Sequence, residues 1–229
     1  MCIRDRLGEQ HDDPVHQRRH RATIERLAAQ GLLAAVVLEM SDQGASTAAL
    51  PPTATEGAAR TALRWNEAGW PWAPYAPAVM AAVRAGVPVL GGNLPRERLR
   101  AAMGDEALDA ALGPGARQAQ RDAIRTGHCD LLPPSQLDGM VRVQVARDRS
   151  LAQAITSSAV PGKTVVLLAG RGQVARDAHG PSRAVAGLAG VRRGAGHRPL
   201  RAAARADAAA ADVLTRAATH ACGSRPRAC

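Results

Sequence analysis

Two short apolar runs decide what this chain can fold into. Ala34-Ala35-Val36-Val37-Leu38 and Thr164-Val165-Val166-Leu167-Leu168-Ala169 show no alternation of polar and apolar residues. An uninterrupted run of that length reads as a strand covered on both faces, as in a parallel sheet packed between helices. Gly31 stands before the first run, and Gly86 before a third, Val87 to Leu90. The rhythm of helix, glycine and strand implies βαβ units with parallel crossovers. The expected class is α/β, a parallel sheet flanked by helices.

The helices follow from punctuation and period. Pro14 to Gln30 predicts a helix, with Asp12 or Asp13 as its cap and Pro14 in its first turn. Ile24, Leu27 and Ala28 mark its apolar face, and Arg18, Arg19, Arg21 and Arg26 its solvated one. Glu56 to Ala68 and Ala78 to Ala85 predict two more helices. Residues 96–127 predict further helix, broken at Gly104 and at Gly113-Pro114-Gly115. Ser135 is placed to cap a long helix to about Ser158, with Leu137, Met140, Val141, Val145, Leu151 and Ile155 turned inward. About 95–160 thus form a helical subdomain set against the sheet.

The two ends read differently. In Met1-Cys2-Ile3-Arg4-Asp5-Arg6 only Ile3 is aliphatic, so residues 1–6 are expected to be a non-native leader and not a strand. After Gly170 the text turns to Ala, Arg and Gly: 18, 11 and 7 of 59 residues, with no aromatic side chain. That composition fits GC-rich DNA read out of frame better than a basic tail. Residues 7–175 are expected to be the native domain of a fragment, and 176–229 a disordered or frame-shifted tail.

The formal charge of +10 invites a nucleic-acid reading, but its distribution argues against one. Residues 1–170 hold 19 basic and 17 acidic side chains, and 171–229 hold 11 and 3. The basicity belongs to the tail, which has no aromatics on which bases could stack. Cys2, Cys129, Cys222 and Cys229 form no CxxC pair, which excludes the usual zinc-ribbon and redox spacings. No stretch reaches the roughly 20 apolar residues of a membrane span.

Parallel sheets place ligand sites beyond the carboxyl ends of their strands. Leu7-Gly8-Glu9-Gln10-His11-Asp12-Asp13-Pro14 reads as one such end turning into a helix. Glu39 and Asn93 follow the next two strands. Glu9, His11, Glu39 and Asn93 are therefore expected to converge on one crevice. Glu9, His11 and Glu39 could hold a divalent metal ion, or act as base and orienting group in water attack. A polar network that ties down the strand ends would use the same residues.

Gly8-Glu9-Gln10-His11, Val37-Leu38-Glu39-Met40, Trp72-Ala73-Pro74-Tyr75, Gly92-Asn93-Leu94-Pro95-Arg96 and Gly127-His128-Cys129 occur in that order. Together they resemble the ChaN-like haem-binding uptake family of bacteria, over about residues 7 to 175. That family is similar in turn to the erythromycin esterases and Tiki metalloproteases. The resemblance implies haem held between paired subunits, with Tyr75 on the iron. It further implies Trp70 and Trp72 against the porphyrin, Arg96 on a propionate, and His11 and His128 as further cofactor-binding residues. It implies a role in bacterial iron uptake, a cell-envelope or periplasmic location, and membrane attachment through a lipoprotein N-terminus. One departure stands out. The family ends its last strand with Ala-Gly-x-Gly-His, and here Gln173 follows Ala169-Gly170-Arg171-Gly172.

The residues alone leave alternatives open. Tyr75 with its tryptophans could simply pack a helix start, and His128 could cap a helix. Arg96 could be solvated. The expected function is haem binding without catalysis. The alternative is a metal-dependent hydrolase that uses Glu9, His11 and Glu39.

Overall fold

The computed structural model describes residues 3–9, as backbone, and 14–170. The order is β1 (Ile3–Glu9), α1 (Pro14–Ala29), β2 (Leu33–Asp42), α2 (Glu56–Ala62), α3 (Ala76–Arg84), β3 (Val89–Asn93) and α4 (Arg96–Gly104). A 3-10 helix (Glu106–Ala111), α5 (Pro114–Gly127), α6 (Pro134–Ser157) and β4 (Thr164–Gly170) follow. The four strands pair in parallel in the order β1-β4-β2-β3. This is the α/β class that the helix-glycine-strand rhythm predicts. Expectations placed on residues 10–13 and 171–229, including the Asp12 or Asp13 cap, His11, Gln173 and the tail, lie outside the described residues.

Alternate residues of the strands feed two cores. Val36, Leu38 and Met40 of β2, with Val166 and Leu168 of β4, pack against Ile24 and Leu27 of α1 and Val79 and Val83 of α3. Ala35, Val37, Val165 and Leu167 point the other way, onto Leu151 and Ile155 of α6. Apolar packing on both faces explains why β2 and β4 read as continuous apolar runs. α4 and α5 rest on α6 as a second helical tier, and Leu94, Ala102, Leu108 and Val143 are buried between α6 and the α4 side. Among the described residues no helix is long and apolar enough to cross a membrane.

Both flanks of the sheet depart from the sequence reading. The backbone of Ile3–Arg6 does run as a strand, paired from Ile3 with Thr164 to Glu9 with Gly170. Ladder hydrogen bonds are made by the backbone, and an edge strand tolerates charged side chains that a central one would not. At the other flank, the chain leaving β2 folds back along β3. Thr47 N–H donates to Val89 O at 3.0 Å and Gly91 N–H to Ala45 O at 2.9 Å, with an antiparallel bridge between Ser46 and Leu90. This strap occupies the edge of β3.

Two helices also differ. The helix expected over Glu56 to Ala68 stops at Ala62, because Arg64 takes a left-handed φ of 48° and turns the chain. Ser135 does not cap α6, which starts at Pro134 behind Pro133 with no side-chain cap.

Candidate functional site

The parallel sheet brings its carboxyl ends to one side, and the expected residues divide there. The register sets Glu9 beside Gly170 of β4. From the opposite flank of β4, Glu39 Oε2 accepts the Gly170 N–H at 2.7 Å. Asn93 lies beyond β2, paired with Asp42, and its Oδ1 accepts the N–H of Leu94 at 2.9 Å. Glu9 and Glu39 thus flank one residue, whereas Asn93 serves its own turn. The expected convergence of all four is corrected to that extent. Among the described residues no group of three His, Cys, Asp or Glu side chains could hold a metal ion.

Sequence reasoning missed the most perturbed group among the described residues. Asp148 of α6 is 5% exposed, and its carboxyl is pushed up to about 8. Burial is the main cause; Glu39 raises it further, and a hydrogen bond from Gln144 works against both. One turn on, Leu151 and Ile155 pack on the sheet, so Asp148 interrupts an inward apolar row that Val141 and Val145 begin. An acidic residue within that period is the signal that could have revealed it. The charge of Glu39 is felt at Asp148, and burial keeps a proton on Asp148 at neutral pH. Asp42, the last residue of β2, is also raised, first by burial and then by Glu97, against Arg64 and Arg147.

The aromatic residues are in the core and not at a mouth. Trp72 is 5% exposed and Tyr75 2% exposed. Trp65 meets Trp72 edge-on at 4.9 Å and Tyr75 at 5.5 Å, and Trp70 meets Tyr75 edge-on at 6.4 Å. Trp72 Nε1 donates to Glu56 Oε2 at 3.0 Å, and Trp65 Nε1 to the Trp70 carbonyl at 2.7 Å. These contacts join α2 to the start of α3. In this arrangement the Tyr75 phenol must be uncovered before it reaches an iron, and Trp72 offers no open face.

His128 is placed differently. It ends α5 with an exposed side chain, and its Nδ1 is 2.8 Å from the Ile124 carbonyl. A carbonyl only accepts, so Nδ1 carries a proton, and in the neutral imidazole the lone pair is on Nε2. Three residues on, Leu131 is 83% exposed, the largest value among the exposed large hydrophobic residues. Arg96 is exposed at the first residue of α4.

A cavity of about 480 Å³ opens between α4 and α6, just past the ends of β2 and β3, lined by Gln43, Leu94, Arg98, Ala146, Arg149 and Ser150, among others. It lies where parallel sheets place ligands. None of the expected site residues lines it; Leu94, which follows Asn93, does.

The model of the family described as haem-binding uptake, Tiki superfamily, ChaN, matches residues 6–183. The chain belongs to this family. A solved structure of the family, ChaN of Campylobacter jejuni with cofacial haem, superposes with a TM-score of 0.68 at 22% identity, over 86% of this chain and 84% of that one. The likeness shows the fold. A search of curated proteins finds no match.

Proposed function

We propose that this protein binds haem and serves haem-iron uptake in a bacterial cell envelope, working as a pair of chains. The observation that carries this reading is the family match, which spans nearly the whole described fold. Bound haem would supply an iron centre and a flat apolar ring with carboxylates at one edge. His128 suits the iron, because its side chain is exposed and, in the neutral imidazole, Nε2 is the nitrogen left with a lone pair. Leu131 beside it offers apolar surface to a ring. Tyr75, the ligand implied by resemblance, would need its buried phenol released.

The hydrolase alternative draws on Glu9, His11 and Glu39. Glu39 is already engaged by the Gly170 amide. No observation favours that reading over haem binding.

Titration with hemin tests the proposal. The wild-type chain is expected to give a shifted Soret band. His128→Ala should alter the ligation spectrum and weaken binding by about a hundredfold, the equivalent of about 3 kcal/mol. Tyr75→Phe, which keeps the ring and its packing, should leave the spectrum unchanged. The reverse pattern would return the iron to Tyr75, and a folded chain that ignores hemin would end the haem reading.

A further inference from the structure

We infer that the cavity between α4 and α6 binds the carboxylate end of an apolar organic acid, at a site separate from His128. Three independent features meet there. The first is position: Gln43 and Leu94 follow the last residues of β2 and β3, so the floor of the cavity is the carboxyl edge of the sheet.

The second is a hydroxyl with nothing to bond. Ser150 is 5% exposed, lines the cavity, and its buried Oγ has no hydrogen-bond partner. Hydroxyls in a helix usually bond back to a carbonyl one turn earlier. Further along α6, Thr156, Ser157 and Ser158 do so, to the carbonyls of Ala152, Gln153 and Ala154. Ser150 does not, which leaves an unsatisfied buried donor in the wall of the cavity.

The third is charge. Arg98 and Arg149 line the cavity and make no ion pair among the described residues. Arg117, Arg121 and Arg142 of the same helical tier all pair with Asp109 or Asp138. The one acid lining the cavity, Asp105, has its Oδ1 on the Ala107 N–H. Two guanidinium groups and a hydroxyl above Leu94, Leu108 and Ala146 suit a carboxylate on an apolar body. Gln43 Nε2 donates to Gln153 Oε1 at 3.1 Å, closing one wall.

The separation from His128 follows from the length of α6. Ile124, one turn before His128, packs on Leu137 and Val141 near the start of α6, whereas Ser150 lies in its second half. At 1.5 Å per residue the two points are about 14 to 20 Å apart along the helix. That exceeds the span from a porphyrin's iron to its carboxylates, so one haem does not reach both within one chain.

The acid has two sources, the propionate edge of a tetrapyrrole or a free fatty acid. The full chain and its Arg98→Gln/Arg149→Gln variant would be titrated by calorimetry with metal-free protoporphyrin IX, with dodecanoate and with uncharged dodecanol. One acid at least is expected to bind the wild type more tightly than about 1 mM. The double variant should bind that acid at least about tenfold more weakly. Ser150→Ala should weaken it about threefold, and dodecanol should not distinguish the proteins. Protoporphyrin binding names the tetrapyrrole edge, and dodecanoate binding the free acid. Because the porphyrin carries no iron, its result does not depend on the haem ligand. If the double variant does not fold, the wild type still decides: acid binding must weaken as salt is raised while dodecanol binding does not. No binding by either acid, or equal losses for acid and alcohol, would overturn the inference.

Discussion

Asp148 sets the pH response of this fold. Its carboxyl titrates near 8 in the folded chain, against 3.8 ordinarily. Between those values the unfolded chain has released the proton and the folded chain still holds it. Stability therefore falls as pH rises through that window, by at most about 1.4 kcal/mol per unit. Below it both states are protonated, and above about 8 both are ionised, so the slope vanishes at each end. Asp148→Asn keeps the shape and removes the proton. Urea denaturation at pH 5 and pH 8 should show the wild type losing stability and the variant holding it. At pH 8 the variant should be the more stable by about 2 kcal/mol. A wild type as insensitive as the variant would contradict the buried-carboxyl assignment. Asp148 also marks a limit of sequence reading. The apolar period along Leu137, Val141, Val145, Leu151 and Ile155 predicts which side of α6 is buried. Nothing in the period says that an Asp on that side lies over Glu39, because that proximity depends on how β2 passes beneath α6. Tyr75 was left between two readings for a related reason: an aromatic cluster looks the same in sequence whether it faces a ligand or a core.

Among the elements, β3 is the most tightly constrained. A Cβ built on Gly91 would lie 2.0 Å from the Asp42 carbonyl oxygen, and one on Gly92 would lie 2.6 Å from Val37 Cγ1 and 2.8 Å from Leu151 Cδ2. The two glycines let β3 approach the irregular end of β2 and the body of α6. Gly91→Ala meets backbone, which cannot rotate away, and should cost about 3 kcal/mol or more. Gly104→Ala, where a Cβ meets nothing within 4 Å, should change stability by about 0.5 kcal/mol or less. Thermal or chemical melts of the two variants test the contrast, and equal effects would refute it. Element existence was largely legible: the apolar runs of β2 and β4 announce burial on both faces, and Gly104 and Gly113-Pro114-Gly115 announce the breaks around the 3-10 helix. β1 was not, since Arg4, Asp5 and Arg6 hide a strand held by backbone pairing. The end of α2 was not either, since a left-handed Arg64 carries no mark in its side chain.

Across the whole molecule, the sheet order predicts where the structure opens last. β4 and β2 are the inner strands, covered on both faces, and among the described residues the helical tier of α4 and α5 packs mainly on α6. Native-state hydrogen exchange should be slowest at Val36–Leu38 and Val165–Leu168. It should be fastest, by several orders of magnitude, in the 3-10 helix and α5. Greater protection in α5 than in β4 would defeat the layered reading. The same order has a consequence for the chain as it leaves the ribosome. β1 is made first, yet its partner is β4, with Ile3 opposite Thr164. β2 and β3, with α3 between them, can assemble while synthesis continues. β1 has no strand to pair with until the last of the four emerges, and its insertion closes the longest loop in the sheet. Until then a polar, charged leading strand stays soluble alone, which an apolar one in that position would not.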